Sequence, residues 1–535
     1  MPITLIQTSS RSRTTGSRTI SRKIEKVLLF RSPLVYHQHI GHEDPHPPLE
    51  LLYLAASLKS EYDLKILDGQ RQTDTVEDFG KQKRMGLSDS RIVQESIAFQ
   101  PDLIGISITW HHQIPAALYF ARLLKKNLPD ALIVAGGIGP SSSSETLLRS
   151  RDVDFVISGE GEDAIVRLCR TLKRGGDLSQ VPGLSFRDDD ACRSNAGNGS
   201  SIISIPRQSI ADPDSVPFPA IELISLGDYD SGYRHGIHKA YPMMGILSSR
   251  GCPLACHFCS LPAVSNRLFR TRPVERLISD MLRLRDEFGI RELHFYDDNM
   301  INEPQFSKRL FQAMIDHRIG LPWLPEAGFA LWKIDPELLD LARASGMYRL
   351  DLPIETGSDR VKGEIMDKGL YHNQQVAAVV KRARQAGIEK IFGYVIVGSP
   401  GETIEDIKCS LDLINALDLD YRGIRFAQPF PGTKFYDICV DNGFLTADFS
   451  LDRLWFTIPN IETGNFTPAE LSSLIAADRA AAMIRQGRIT YQDGIEEIKV
   501  KHSDRIAQDA ASLIPELQSR YQSRVRRLKA EFANL

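Results

Sequence analysis

Apolar and polar positions along the chain fall into two alternating rhythms. KVLLF, from Lys26, is a short continuous apolar run of the kind a buried strand shows, and LELLYLAASLKS follows with apolar residues at helical spacing. DLKILD is a second strand. PDLIGISIT, IPAALYFARLLKKN, ALIVAGG, SSSETLLRS and VDFVISGEGE then read as strand, amphipathic helix, glycine-ended strand, capped helix, and strand with turn. Strands alternating with helices predict an α/β domain with a parallel, doubly wound sheet over residues 25–175, whose ligands bind beyond the carboxyl ends of its strands.

Residues 176–240 break the rhythm. DDDACRSNAGNGSS is polar and glycine-rich and DPDSVPFPA is proline-rich, so this stretch reads as a linker. From Tyr241 the strands MMGILSS, RELHFYDD, RLDLPIE, KIFGYVIVG and YRGIRFAQP alternate with helices such as VERLISDMLRLRDEFG and HNQQVAAVVKRARQAG. That succession predicts a partial TIM-type (β/α) barrel over 241–440, with its reactive face where the strands end. Residues 441–535 read as a charged helical region without a motif.

Composition narrows the function classes. With 65 Lys and Arg against 68 Asp and Glu, the formal net charge of −3 gives no chain-wide attraction to nucleic acid or an anionic membrane. No apolar run approaches the roughly 20 residues of a membrane span, and the expected location is the cytoplasm. The basic, acid-free opening TSSRSRTTGSRTISRK has the composition of a transit peptide, but the simpler expectation is a disordered tail over 1–24. Seven cysteines in 535 residues do not make a disulfide framework.

Three of those cysteines crowd into the run Gly251-Cys252-Pro253-Leu254-Ala255-Cys256-His257-Phe258-Cys259, directly after a predicted strand and spaced C-x3-C-x2-C. Thiolates this close can wrap one metal centre, and three of them on an iron–sulfur cluster leave a fourth iron open to substrate. A structural zinc site is the alternative; it normally takes four ligands, and His257 would have to be the fourth. Position at the end of a barrel strand favours catalysis.

This motif in this place resembles the radical SAM signature, and the resemblance runs over nearly the whole chain. It implies a [4Fe–4S] cluster on Cys252, Cys256 and Cys259, with S-adenosyl-L-methionine (SAM) on the fourth iron and the Phe258 backbone meeting the adenine. Tyr296-Asp297-Asp298-Asn299 falls where the family has a polar loop near the SAM amino group, although the family's common Gly-Gly-Glu is absent; the resemblance thus points to Asp297 and Asp298. Pro353-Ile354-Glu355-Thr356-Gly357-Ser358 looks like the family's glutamate-to-serine turn, where Glu355 can accept from ribose hydroxyls. Ser358 can equally cap the following helix. Gly393-Tyr394-Val395-Ile396-Val397-Gly398 resembles the adenine-binding strand and brings in Tyr394 and Gly398.

The first domain decides the subfamily. Ser107-Ile108-Thr109, Ala135-Gly136-Gly137 and Gly159-Glu160-Gly161-Glu162 end successive strands in an order that resembles cobalamin-binding domains of radical SAM enzymes. Small residues there admit a long nucleotide tail, and hydroxyls can bond its amides. Asp44-Pro45-His46 is followed by Pro47-Pro48-Leu49, without the glycine of the axial-histidine signature D-x-H-x-x-G. His37, His39, His42 and His46 share that loop, but the expectation is a cobalt without axial histidine, approached on its lower face by the loop after Asp68-Gly69-Gln70-Arg71.

The chain is therefore similar to cobalamin-binding radical SAM methyltransferases of class B. GLSDSRIV, LRLRDEFGIRELHFYDDNMIN and GLPWLPEAGFALWKIDPELLDLARASG look most like hydroxyethylphosphonate methyltransferases and their relatives, without fixing a phosphonate substrate. The resemblance implies methyl transfer from methylcobalamin to an unactivated carbon of a small natural-product precursor, with a one-electron donor such as flavodoxin or ferredoxin as partner. No general base is nominated, because the cofactors carry the chemistry. Tyr296, Trp332 and Arg422 are the candidates for lining a substrate cavity. A cyclase or rearrangement enzyme with the same cofactors is the runner-up, and a cofactor-binding regulator without turnover is a third reading.

Overall fold

The computed structural model describes residues 19–37, 44–71, 76–80, 82–188 and 201–534. His39, His42, residues 1–18 of the expected tail, and nearly all of the polar run in the expected linker lie outside the described residues. By its internal contacts the chain forms two compact units: Met1–Pro253 with Ser260–Leu293 and Ser450–Asp452, and Leu254–Cys259 with His294–Phe449 and Arg453–Leu535.

The first unit is built on strands β1 (Lys26–Arg31), β2 (Leu34–His37), β3 (Asp63–Asp68), β4 (Val76–Phe79), β5 (Gln82–Met85), β6 (Leu103–Ser107), β7 (Leu132–Gly136), β8 (Phe155–Ile157), β9 (Leu184–Asp188) and β10 (Ser201–Ser204). Its main sheet has the order β10-β9-β8-β7-β6-β1-β3. Strands β3, β1, β6, β7 and β8 are parallel, and the order reverses between β1 and β6. Such a switch point leaves a crevice at the carboxyl ends. The helix Gly161–Arg174 buries Ile165, Leu168, Cys169 and Leu172 and ends at Gly175 in the left-handed region, φ 65°. Strands β2, β5 and β4 form a small separate sheet.

Two expectations need correction here. The stretch 176–240 is not only a linker, because β9 adds antiparallel to β8 and β10 to β9, extending the sheet. Leu184 and Phe186 are fully buried there, an apolar alternation that the neighbouring polar run hides in the sequence. The disordered tail does not reach residue 24 either. Thr19 bridges to Asp177, Arg22 N–H donates to the Leu172 carbonyl at 2.9 Å, and Ile24 is fully buried.

After β11 (Met243–Ile246), β12 (Ser249–Arg250) and β13 (Arg270–Thr271), β14 (Glu292–Phe295) leads into the second unit, followed by β15 (Trp323–Pro325), β16 (Arg349–Glu355), β17 (Lys390–Val397) and β18 (Tyr421–Phe426). Strands β16, β17 and β18 are parallel and adjacent. The helix Ile404–Ala416 between β17 and β18 starts on a Thr403–Asp406 capping box, which satisfies end N–H groups at both positions. Leu350, Leu352 and Ile354 of β16 are fully buried and face the helix layer with Gly393, where an added Cβ would lie 2.9 Å from the Ile354 Cδ1. In β17 burial alternates: Ile391, Gly393, Val395 and Val397 are buried, whereas Phe392, Tyr394 and Ile396 keep partial exposure. The inner sheet face is thus open, unlike the packed interior of a full TIM barrel.

Beyond β18 the chain is helical: Pro468–Arg485, Tyr491–Lys501 and Asp504–Arg520, the first two again on threonine capping boxes. The preceding irregular segment reaches the carboxyl ends of β17 and β18. Phe426 N–H donates to the Phe456 carbonyl at 2.8 Å, Gln428 Nε2 to Ile458 O at 2.8 Å, and Asn465 Nδ2 to Glu402 O at 3.0 Å. No helix among the described residues is long and apolar enough to cross a membrane.

Candidate active site

In the second unit the loop carrying Cys256 and Cys259 is fixed from three sides. Cys259 N–H donates to Cys256 O at 3.0 Å, His257 N–H donates to Met366 O at 3.1 Å, and Phe435 N–H donates to His257 O at 3.0 Å. The His257 Nδ1 meets Ile365 O at 2.8 Å, and the Phe258 ring packs edge-on against Phe435 at 6.1 Å. These bonds tie the loop to the turn after β16 and to the helix Lys434–Asp441 after β18. Cys256 is 8% exposed and Cys259 half-buried. In the first unit, Gly251 precedes Cys252 at φ 83°, where a Cβ would sit 1.9 Å from Leu268 O; only glycine fits.

Glu355 ends β16 with φ 60°, unusual for a side-chain-bearing residue and costing about 1–2 kcal/mol. A register shift between Pro353 and Glu355 accompanies it. Its buried carboxylate accepts from Lys368 Nζ. Burial alone would pull the Lys368 ammonium down, but Glu355 and then the Cys256 and Cys259 sulfurs outweigh it and hold the pKa above the ordinary value. Lys368 also lies 5.8 Å over the Trp332 ring, and Trp332 stacks on Tyr371 at 6.0 Å. Trp332, Glu355 and Lys368 are therefore one cluster beside the cysteine loop. Sequence reasoning missed Lys368, which sits in a turn after the motif and carries no spacing signal.

The other expected contacts are more dispersed. Ser358 Oγ donates to Asp406 Oδ1 at 2.7 Å and accepts weakly from Val361 N–H at 3.4 Å, in keeping with its helix-capping alternative. Asp297 is buried, Asp298 exposed and Tyr296 half-buried. Gly398, at φ 79°, has Leu471 Cδ1 2.7 Å from where a Cβ would be, so the helix Pro468–Arg485 covers it. Arg422 is the second residue of β18, remote from the carboxyl end; it donates to Asn415 Oδ1 in the helix layer, and the structure does not bring it together with Trp332.

Tyr394 belongs to the inner face, where its ring covers Gly423. Arg349 pairs with Asp351 through two bonds of 2.9 and 2.8 Å and lies over Phe392 at 4.9 Å; Glu326 stands 3.7 Å from Arg349 and meets His294 Nδ1 at 2.6 Å. Burial raises the Asp351 pKa to about 6 in spite of Arg349. Replacing Arg349 with Met is expected to destabilise the second unit by about 3 kcal/mol, because it leaves Asp351 buried without its cation. Denaturant melts at pH 7 check this, and Asp351→Asn added to Arg349→Met should recover part of the loss.

Glu402 is fully buried; its Oε2 accepts from Ser399 N–H at 2.8 Å, and its Oε1 has no hydrogen-bond partner among the described residues. Burial lifts its pKa to about 8. An unfolded glutamate ionises near ~4.3. The folded state thus keeps a proton that the unfolded state releases, and stability falls as pH rises from ~4.3 to about 8, by up to ~1.4 kcal/mol per unit. Glu402→Gln is expected to flatten this slope, leaving the variant more stable than the parent at the alkaline end of that window. Thermal melts across the window check it; parallel slopes would assign the effect to another group.

In the first unit, the expected cobalamin residues end adjacent strands. Asp68 accepts from Arg31 Nε at 2.9 Å, Tyr229 Oη at 2.8 Å and Gln70 N–H at 3.0 Å, which fixes the loop after β3. Gly69 N–H donates to Arg31 O at 2.7 Å. Ser107 donates to Glu50 at 3.3 Å, and Thr109 is half-buried. Gly137 has φ 121°, and a Cβ there would lie 2.3 Å from Ile108 O; at Gly136 nothing comes nearer than 3.7 Å. Gly159, at φ 97°, donates to Ser141 Oγ at 3.0 Å, while Glu160 is taken by Arg270 at 2.8 and 2.9 Å and by Ile210 N–H at 2.6 Å. His46 packs its ring 5.1 Å from His238, and His37 Nε2 meets Asp452 O at 3.1 Å. A small-residue corridor along β6, β7 and β8 suits a nucleotide tail, and the Cys256 and Cys259 thiols near a buried ammonium suit an anionic cluster.

Fold and site together define a SAM- and cobalamin-using enzyme, and comparison with known proteins agrees. Residues 42–169 match the B12 binding domain family and residues 246–414 the Radical SAM superfamily. The chain is 31% identical over 465 residues to cytidylyl-2-hydroxyethylphosphonate methyltransferase of Streptomyces wedmorensis, covering 82% of this chain and 85% of that protein. In fold it is similar to the radical SAM methyltransferase TsrM of Kitasatospora setae, solved with cobalamin and [4Fe–4S] cluster bound (TM-score 0.62, 18% identity, 80% and 76% of the chains). It is similar also to the cobalamin-dependent radical enzyme OxsB with aqua-cobalamin bound (TM-score 0.63, 16% identity, 93% and 72%). The chain belongs to the cobalamin-dependent radical SAM methyltransferases, and its cofactors are a [4Fe–4S] cluster, SAM and cobalamin.

Proposed function

We propose that the protein methylates an unactivated carbon of a small natural-product precursor. The observation that supports this most directly is the cysteine loop bonded to the turn after β16, beside Glu355 and Lys368. Cys252, Cys256 and Cys259 would hold the cluster, and the strand-end residues Ser107, Thr109, Gly136, Gly137, Gly159 and Glu160, with Asp68 and Gly69, would line the corrin site. Phe258, Asp297, Asp298, Glu355, Ser358, Tyr394 and Gly398 stay as proposed SAM contacts, and Tyr296 and Trp332 as proposed substrate contacts. Bound, the cluster with SAM supplies a carbon-centred radical and cobalamin supplies the methyl group. The chain's own tasks are then to orient the reacting carbon and to exclude water. Lys368 holds the Glu355 carboxylate in one position; Trp332, half-buried and backed by the buried Tyr371 ring, presents a flat face.

The expected partners are a small-molecule substrate and a low-potential donor such as flavodoxin or ferredoxin, in the cytoplasm. The cobalamin-binding domain would then run from about residue 19 through β10, with the radical SAM domain over 241–440 and the helical region over 441–535. Anaerobic reconstitution with hydroxocobalamin, reductant and SAM tests the reading, with cytidylyl-2-hydroxyethylphosphonate, the compound in the relative's name, as first substrate. The expected result is 5′-deoxyadenosine with a product one methyl heavier. Deoxyadenosine with a substrate rearranged at unchanged carbon count would overturn methyl transfer.

A further inference from the structure

The inner face of the β16-β17-β18 sheet carries one cation whose charge nothing in the second unit's described residues offsets. Residues of β18 alternate between two faces. Arg422, Ile424 and Phe426 share the face on which Arg422 reaches Asn415, whereas Gly423 and Arg425 share the face of Tyr394. Arg425 is half-buried, and its guanidinium lies 5.9 Å from the Tyr394 ring. No carboxylate of the described residues lies within ion-pair distance of it. The other charged groups on this face are already paired, Arg349 with Asp351 and Glu326 and His294 with Glu326, and beyond the irregular end of β16 Lys368 is paired with Glu355.

Height along the strands matters as much as charge. Asp351 is in register with Phe392, whereas Arg425 is in register with Ile396, four positions nearer the carboxyl ends and so about 13 Å further along at ~3.3 Å per residue. Glu355 is in register with Val395, one position below. Arg425 therefore stands at the level of the residues beside the cysteine loop, clear of the Asp351 and Glu326 carboxylates, on a face whose apolar neighbours Ile396 and Phe392 keep partial exposure.

We propose that Arg425 anchors an oxyanion group of the substrate, a phosphonate, phosphate or carboxylate, and so selects anionic small molecules. This rests on the methyltransferase reading and names the substrate class for it. A guanidinium offers a fork of donors that matches such a group, and a half-buried setting strengthens the bond relative to open water. The Tyr394 ring, 5.9 Å from the guanidinium, lies over Gly423, where any larger residue would displace it: a Cβ would lie 2.3 Å from its Cδ1.

The test is binding, separate from turnover. The cofactor-loaded enzyme is titrated calorimetrically with phenylphosphonate, phenyl phosphate and benzoate, with benzyl alcohol as the uncharged control. Arg425→Gln is expected to weaken at least one of the anions by about 10-fold or more, with Arg425→Lys intermediate and the alcohol unaffected. Ile396→Glu provides an independent route, since it keeps the arginine and places a carboxylate at the registered position; it should weaken the same anion comparably. Equal anion affinities in all four proteins, or no anion binding by the parent, would overturn the proposal. Because no product is read, a failure of methyl transfer leaves this result standing, and loss of anion binding leaves SAM cleavage to be judged separately.

Discussion

Cys256→Ala is expected to give a folded protein that forms no detectable 5′-deoxyadenosine. The change removes one of the three thiolates proposed to hold the cluster, and three leave a single iron of the four open for SAM. The loop itself should survive, because its anchors are backbone and imidazole bonds: Cys259 N–H to Cys256 O, His257 N–H to Met366 O, and His257 Nδ1 to Ile365 O. Loss of activity would thus come with near-normal melting of the apoprotein and a fall in iron and sulfide per chain. Cys439→Ala and Cys169→Ala are the informative comparisons. Burial pushes both thiols up to about 12. Both are buried within helices, Gly161–Arg174 and Lys434–Asp441, outside the C-x3-C-x2-C run. Their loss should leave iron content unchanged and cost only packing, about 1 kcal/mol each. Retention of stoichiometric iron and of SAM cleavage by Cys256→Ala would falsify the three-cysteine assignment. Zinc in place of iron in the parent would instead revive a structural site.

Much of this was legible in the sequence because strand ends are where a β/α chain concentrates polar residues. The thiol run follows MMGILSS, Glu355 closes RLDLPIE, and the small residues Ser107, Gly136 and Gly159 close or follow three parallel strands. What escaped was parity and distance. YRGIRF contains two arginines three positions apart, on opposite faces of β18; nothing in so short and mixed a run says which one turns inward, and Arg422 was the wrong choice for a place near Trp332. Lys368 lies in a turn that only the fold brings beside Glu355. The segment with Phe456, Ile458 and Asn465 has no periodicity, so its place at the ends of β17 and β18 is set by tertiary hydrogen bonds alone. Strands β9 and β10 were hidden by the polar run between them.

The glycines at the end of β7 provide the second large effect, through a contrast between neighbours. Gly137→Ala is expected to disrupt the first unit by 3 kcal/mol or more, on the order of the largest single-residue losses. Two causes add. The backbone at φ 121° is closed to a side chain, and the new Cβ would stand 2.3 Å from Ile108 O and 2.9 Å from Ile108 C, atoms of the main chain following β6 that cannot swing away. At Gly136 no such obstacle exists, since the nearest atom is Ile157 O at 3.7 Å, so Gly136→Ala should melt within about 1 kcal/mol of the parent. If the corridor along β6, β7 and β8 takes the nucleotide tail, that same methyl group intrudes on the ligand and should weaken cobalamin binding about 10-fold. The two measurements, melting of the apoprotein and cobalamin titration by absorbance, separate a glycine kept for the fold from one kept for the cofactor. Unchanged cobalamin affinity in Gly136→Ala would move the tail away from β7 and leave the crevice between β1 and β6 as its place.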